Sequence, residues 1–246
     1  MKRPISLTLG LLLALVLFSK VSCATEVLVM GNESMPWNGI VEGKDSGIIV
    51  DILNEATNNG APKFNFRLGM PWARAQIEVL KPNENLVAII PLTRNAEREG
   101  KFKWIAELVS NEVRIVSYRR SVPIMSLDEA KDLSVGMILG HAAIPQLEQS
   151  GFTKIENVSN AEGNAKKLLA KRIDALIDSK MVYLYHWKTI GQNTKDLQEG
   201  PLVGNVTGIY IASGPNFPDD VAKSIADAIG RMRKSGKLQE IISKWK

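Results

Sequence analysis

The sequence predicts an α/β protein of two Rossmann-like α/β lobes joined by two crossing strands, with a cleft between the lobes. Three observations predict this architecture. From Glu26 to Ile90 the pattern runs β-α-β-α-β, the order of a sheet wound with parallel strands. The same alternation begins again after Tyr118. A last strand and two amphipathic helices, from Thr207 onward, have no partner in that second count and return to the first lobe. The resulting boundaries are 25–112 with 207–246 for one lobe and 113–206 for the other.

The elements follow from local pattern. Glu26–Met30 (EVLVM) reads as a strand, and Gly43–Gly47 as a turn. Ile48, Ile49, Ile52, Leu53 and Ala56 share one helical face, closed by Asn58-Asn59-Gly60. Lys63–Leu68 alternates as a strand, and Pro71-Trp72-Ala73-Arg74 opens a helix to Leu80. Leu86–Ile90 is an unbroken apolar run, a strand buried on both faces, which ends at Pro91. In the second lobe, strands are expected at 112–118, 133–139, 154–158 and 173–177. Helices are expected at 141–149, from the capping box at Ser159–Glu162 to Ala170, and at 179–190. Ser126–Glu129 is a further capping box that opens a short helix. Thr207–Ala212 is the returning strand, followed by helices at 219–234 and 238–245.

The first 24 residues stand outside this fold. Lys2 and Arg3, the apolar core Ile5–Phe18 and the small residues Ser22-Cys23-Ala24 form a secretory signal peptide, cleaved after Ala24. Lys20, three before Cys23, is not the aliphatic residue that lipid attachment at that cysteine would call for. The expected location is the periplasm. Removing Lys2, Arg3 and Lys20 leaves 28 basic against 26 acidic residues, so the overall charge gives no reason to expect nucleic acid. The mature chain has no cysteine and two histidines. GxSxG, HExxH, P-loop and paired-cysteine patterns are missing, which excludes several hydrolase, metal and nucleotide chemistries. No cofactor and no metal are expected.

The densest chemistry lies in Leu86–Trp104, where a buried strand gives way to Thr93, Arg94, Glu97, Arg98 and Glu99. The carboxyl edge of an open α/β sheet is where ligands bind, and an arginine fork suits a carboxylate there. The same residues would also make a solvated charged turn, with Arg98 paired to Glu97 or Glu99. Asp178 reads either as a ligand contact or as a cap on the helix after it. Trp37 and Trp72 stand in or beside proline-containing loops, as stacking surfaces or as packing. Arg74 faces either a pocket or the surface, and His141 counts for its backbone position rather than for titration. His186, inside an amphipathic helix, reads as structural.

These residues sit among markers that resemble the family 3 extracellular solute-binding proteins, the polar amino-acid receptors of ABC importers. The markers are Gly47-Ile48-Ile49-Val50-Asp51-Ile52-Leu53, Thr93 with Arg98 before Phe102 and Trp104, Arg172-Ile173-Asp174-Ala175-Leu176-Ile177-Asp178, and the ending Gly236–Trp245. The resemblance covers Thr25 to Lys246 and implies the type II periplasmic-binding-protein fold. It implies that Arg98 grips a ligand carboxylate with help from Thr93, and that Asp178 holds an amino group. It further implies that backbone amides of Gly140, His141 and Ala142, at a helix start, face the carboxylate. Ile90, Pro91 and Leu68 depart from the family pattern, and Trp72 and Arg74 are the candidates to replace the lost contacts. The implied function is a monomeric receptor that closes on a small carboxylate-bearing ligand and delivers it to a permease. The alternatives are a sensor for a membrane receptor, or an enzyme like the few relatives that dehydrate cyclic carboxylic acids.

Overall fold

The computed structural model describes residues 26–82 and 86–245. The expected signal peptide and Cys23 lie outside the described residues. Val27 and Val29 are fully buried and alternate with more exposed neighbours in the strand β1, Glu26–Met30. Gly39–Val41 (β2) and Lys44–Ser46 (β3) form a hairpin where the sequence pattern predicts only a turn. Strands of three residues are too short to show alternation. Glu42 and Gly43 both have positive φ, 51° and 75°, the twist that a two-residue hairpin turn requires.

Ile48–Asn58 is α1, which buries the apolar face its spacing predicts. The residue before it, Gly47, sits at φ 125°, where an added Cβ would lie 2.6 Å from the carbonyl oxygen of Trp37. Only glycine fits there, and that close approach sets the loop carrying Trp37 against the start of α1. Lys63–Arg67 (β4), Trp72–Leu80 (α2), Val87–Thr93 (β5), Lys103–Asn111 (β6) and Val113–Tyr118 (β7) follow. Next come Val135–Ile138 (β8), Ile144–Gln149 (α3), Ile155–Val158 (β9), Ala161–Leu169 (α4), Ala175–Ser179 (β10), Lys180–Thr189 (α5) and Leu197–Leu202 (β11). Thr207–Ser213 (β12), Asp219–Lys234 (α6) and Lys237–Ser243 (α7) complete the chain.

Two five-stranded sheets result, ordered β4-β1-β5-β12-β6 and β11-β7-β10-β8-β9. In each, the three parallel strands take the spatial order second-first-third, and antiparallel strands extend one side. The chain crosses from one sheet to the other at Asn111–Val113 and returns between Leu202 and Thr207. α6 packs Ile225, Ile229 and Met232 into the core of the first sheet, and the Trp245 indole N–H donates to Asp51 at 2.9 Å. The second sheet is covered on both faces: Ile115, Met137 and Ile177 point to one core, Val116, Leu176 and Trp187 to the other.

Several elements differ from the sequence pattern. β5 continues through Pro91 because Ile90 and Pro91 bulge out opposite the single residue Ile211 of β12, where a missing N–H costs the ladder nothing. β6 pairs with β12 through two register shifts, which break the alternation that would have marked it as a strand. β11 is a half-exposed edge strand that tolerates Gly200 and Pro201 for that reason. α3 starts at Ile144 and not at His141, because Pro145 belongs in a first helical turn and Gly140 at φ 79° holds a turn ahead of it. α4 is capped by Asn160, whose side-chain oxygen accepts from the Gly163 N–H at 2.7 Å, not by Ser159. The Ser126–Glu129 box opens only a single 3-10 turn, Asp128–Ala130.

Candidate functional site

Asn32 follows β1, Thr93 ends β5, Ile138 ends β8 and Asp178 lies near the end of β10. All four are at carboxyl ends of parallel strands, two from each sheet, where open α/β sheets place ligands. They line one cavity of about 50 Å³ together with Ser34, Trp37, Trp72, Pro91, Arg98, Asn111, His141, Ala142, Ser179 and Ile209.

A turn after β5 presents Arg98. Its backbone N–H donates to the side-chain oxygen of Asn95 at 3.0 Å, an arrangement that fixes a short polar turn. Arg98 as a whole is 6% exposed. Nη1 donates to the Thr93 carbonyl at 2.8 Å, and Nη2 donates to Gln76 Oε1 at 2.8 Å and to the Gly140 carbonyl at 2.9 Å. Gly140 lies in the turn after β8 of the second sheet, so Arg98 bridges the two halves. Asn95 does the same, donating to the Ala142 carbonyl at 2.9 Å. Among the described residues, no carboxylate lies within 4 Å of Arg98. Glu99 is taken by Arg94 through two hydrogen bonds of 2.9 Å, and Glu97 by Lys101. Arg94 also lies 5.1 Å from the Trp104 ring and 5.5 Å from the Tyr210 ring, as a surface ion pair packed on aromatics.

Asp178, 6% exposed, enters the cavity from the other side. Its Oδ1 accepts from the Ser179 N–H at 2.7 Å. It is a strand residue rather than a helix cap. Its cross-strand neighbour Arg114 donates to Glu112 and to the Gly200 carbonyl instead.

No family model matches the chain, and no curated protein matches it by sequence. Solved structures do match. A histidine kinase sensor domain with similarity to periplasmic binding proteins superposes with a TM-score of 0.80 over 90% of this chain and 95% of its own, at 15% identity. The fold is that of the periplasmic binding proteins. An ancestral arginine-binding protein bound to arginine has a TM-score of 0.77 and 20% identity, covering 89% of this chain and 97% of that one. An ABC uptake transporter substrate-binding protein from Streptococcus pneumoniae, with bound histidine, has a TM-score of 0.77 and 18% identity over 89% and 92%.

Within this periplasmic-binding-protein fold the electrostatics of the cavity are set by burial. Desolvation lowers the Arg98 guanidinium to about 10, opposed by the nearby Glu97 charge. Desolvation raises the Asp178 carboxyl to about 7, opposed by the Ser179 N–H. His141 is pushed down to about 4 by burial and by the positive Arg98, and its Nδ1 accepts from the Ala143 N–H at 3.2 Å. It therefore sits in the cavity wall as a neutral ring.

Of the residues singled out from sequence, Arg98, Thr93, Asp178, Trp37, Trp72, His141 and Ala142 come together in this cavity. Arg74 does not. Its side chain is 69% exposed and pairs with Glu78 at 3.9 Å, because it lies two positions from Trp72 and so on the opposite side of α2. Gln76, four positions from Trp72 and on its face, reaches Arg98 instead. The amides of Gly140–Ala142 belong to a turn, and the His141 N–H is already bonded to Ile138. Asn32, Ser34, Asn111 and Ser179 were not singled out. Asn32 had one available signal: a polar residue immediately after the first strand of a βα unit. Asn111 had none, because the strand it ends was not legible.

Proposed function

We propose that this chain is a periplasmic solute-binding protein. It captures a small carboxylate-bearing ligand, an amino acid or a close relative, between lobes 25–112 with 207–246 and 113–206. The closed form is what an ABC importer would recognise. The observation that carries this reading is the buried Arg98 guanidinium with no carboxylate within 4 Å among the described residues, in one cavity with the buried Asp178. A buried charge is costly without a counter-charge, and a zwitterion offers one to each. The ligands named for similar structures, arginine and histidine, support the same chemistry. Two crossing segments allow closure by hinge motion, driven by contacts that exist only when both lobes reach the ligand.

The test is thermal shift of the exported protein against amino acids, dicarboxylates and cyclic acids. A ligand at 100 times its Kd stabilises by about 2.7 kcal/mol. Arg98→Ala should abolish that shift, and Arg98→Lys, which keeps the charge but loses the fork, should weaken it. Unchanged affinity in Arg98→Ala overturns the reading. The similarity to a histidine kinase sensor domain favours a second reading, in which the closed state is passed to a membrane receptor rather than to a permease. Both readings describe a binder. Turnover of a cyclic acid such as prephenate, lost in Asp178→Asn, would replace them with an enzyme that uses the buried carboxyl as its acid or base.

A further inference from the structure

The charged groups around the cavity are few. Arg98 and Asp178 line it, one from each side, and among the described residues no other arginine, lysine, aspartate or glutamate does. The remaining charges nearby are committed elsewhere. Arg94 is paired with Glu99, and Glu33 lines a different groove beside Ser159–Gly163. The rest of the wall is apolar or uncharged: Trp37, Trp72, Pro91, Ile138 and Ile209, with Ser34, Thr93 and Ser179. The space is narrow, about 50 Å³, against about 450 Å³ in the groove on the far side of Arg98 between Ile77 and Ile144.

Three wall residues also carry a buried polar atom without a partner: Asn32 Oδ1, Trp37 Nε1 and Asn111 Oδ1. Their residues are 8%, 4% and 4% exposed. Buried polar groups are nearly always hydrogen-bonded, and leaving one unmade is costly. These three are uncharged, so they suit dipoles and hydroxyls rather than ions.

We infer that the ligand is a small zwitterion without net charge, whose remainder beyond its carboxylate and amino group is short and uncharged. A glycine-, alanine-, serine- or threonine-sized amino acid fits this description. The inference rests on reading the cavity as an amino-acid-type binding site and narrows that reading to one ligand class. A basic side chain such as that of arginine, the ligand of one similar structure, would need a second acid. An acidic side chain would need a second cation. The wall supplies neither, and an unpaired charge buried there is strongly unfavourable. A large apolar side chain is disfavoured by the small size of the space, about 50 Å³.

The test is isothermal titration calorimetry on the wild-type protein, stripped of carried-over ligand, so that no outcome turns on whether a variant folds. Glycine, alanine, serine and threonine are compared with arginine, lysine, aspartate and glutamate, with propionate as a carboxylate lacking the amino group. The expected result is binding of at least one neutral amino acid, roughly a hundredfold or more tighter than any of the charged four. Charged amino acids binding as tightly as neutral ones would overturn this inference while leaving the receptor reading in place. Binding of propionate alone, or of none of the nine compounds, would also overturn this inference, while the receptor reading falls only if ligand affinity is unchanged in Arg98→Ala.

Discussion

Asp178 offers a quantitative test, because its burial is coupled to proton binding. Its carboxyl is raised from 3.8 to about 7, with desolvation as the largest cause. A folded-state pKa above the unfolded value means that the native protein holds a proton the unfolded chain has released. Stability is therefore fully present below pH 4 and falls as pH rises toward 7. At 1.36 kcal/mol per pH unit, the displacement from 3.8 to about 7 corresponds to about 4 kcal/mol lost across that interval. Asp178→Asn keeps the shape and the acceptor for the Ser179 N–H but cannot ionise. The unfolding free energies of variant and wild type, from denaturant titrations without ligand, should diverge by about 4 kcal/mol between pH 4 and pH 8 in favour of the variant. The same variant should lose ligand affinity, since an amide cannot balance an ammonium group. A wild-type-to-variant difference that stays constant to within about 1 kcal/mol over that range would refute the buried, unpaired carboxyl.

Gln76→Ala and Asn95→Ala each remove a hydrogen bond from the first half to the second, where Gln76 Nε2 donates to the Gly140 carbonyl at 3.4 Å and Asn95 donates to the Ala142 carbonyl at 2.9 Å. Each should cost roughly 0.5–1.5 kcal/mol of closure, visible as a larger radius of gyration in solution scattering and faster ligand release. Unchanged scattering and release in the double variant would mean that these bonds do not hold the halves together. Arg74→Ala, removing an exposed side chain on the far face of α2, should leave ligand affinity within about twofold by calorimetry. A larger loss would place Arg74 in the site after all.

Much of the fold was legible because its elements obey simple periods. The α1 stripe of Ile48, Ile49, Ile52, Leu53 and Ala56, and the unbroken apolar run ending at Ile90, announce one buried helix face and one central strand. The parts that were not legible fail for identifiable reasons. β6 loses its alternation to two register shifts, β11 is an edge strand with glycine and proline inside it, and β2 and β3 are too short to carry a period. The site follows the same division. Arg98 and Arg94 are only four positions apart in a charged turn, and sequence alone leaves either free to be the ion pair. The structure separates them by what surrounds each: Glu99 and two aromatic rings around Arg94, carbonyls and the cavity around Arg98. Helical geometry alone puts Gln76, four positions on, and not Arg74 on the face of Trp72.

Under the proposed function, the positions of Arg98 and Asp178 would link binding to closure energetically. Each is buried, each comes from a different sheet, and desolvation pushes both toward their neutral forms. Bringing the sheets together without a ligand therefore buries one cation and one acid that do not neutralise each other. Arg98 offsets part of this through the carbonyls of Thr93 and Gly140, neutral acceptors that a carboxylate would outmatch. Among the described residues Asp178 accepts only from the Ser179 N–H, and burial shifts its carboxyl toward the protonated form. Under the proposed function, a zwitterion would supply the carboxylate to one and the ammonium to the other, and would release the proton from Asp178 as it did so. Closure and binding would then share one free-energy source, and proton release measured near pH 7 in buffers of different ionisation enthalpy would report it directly.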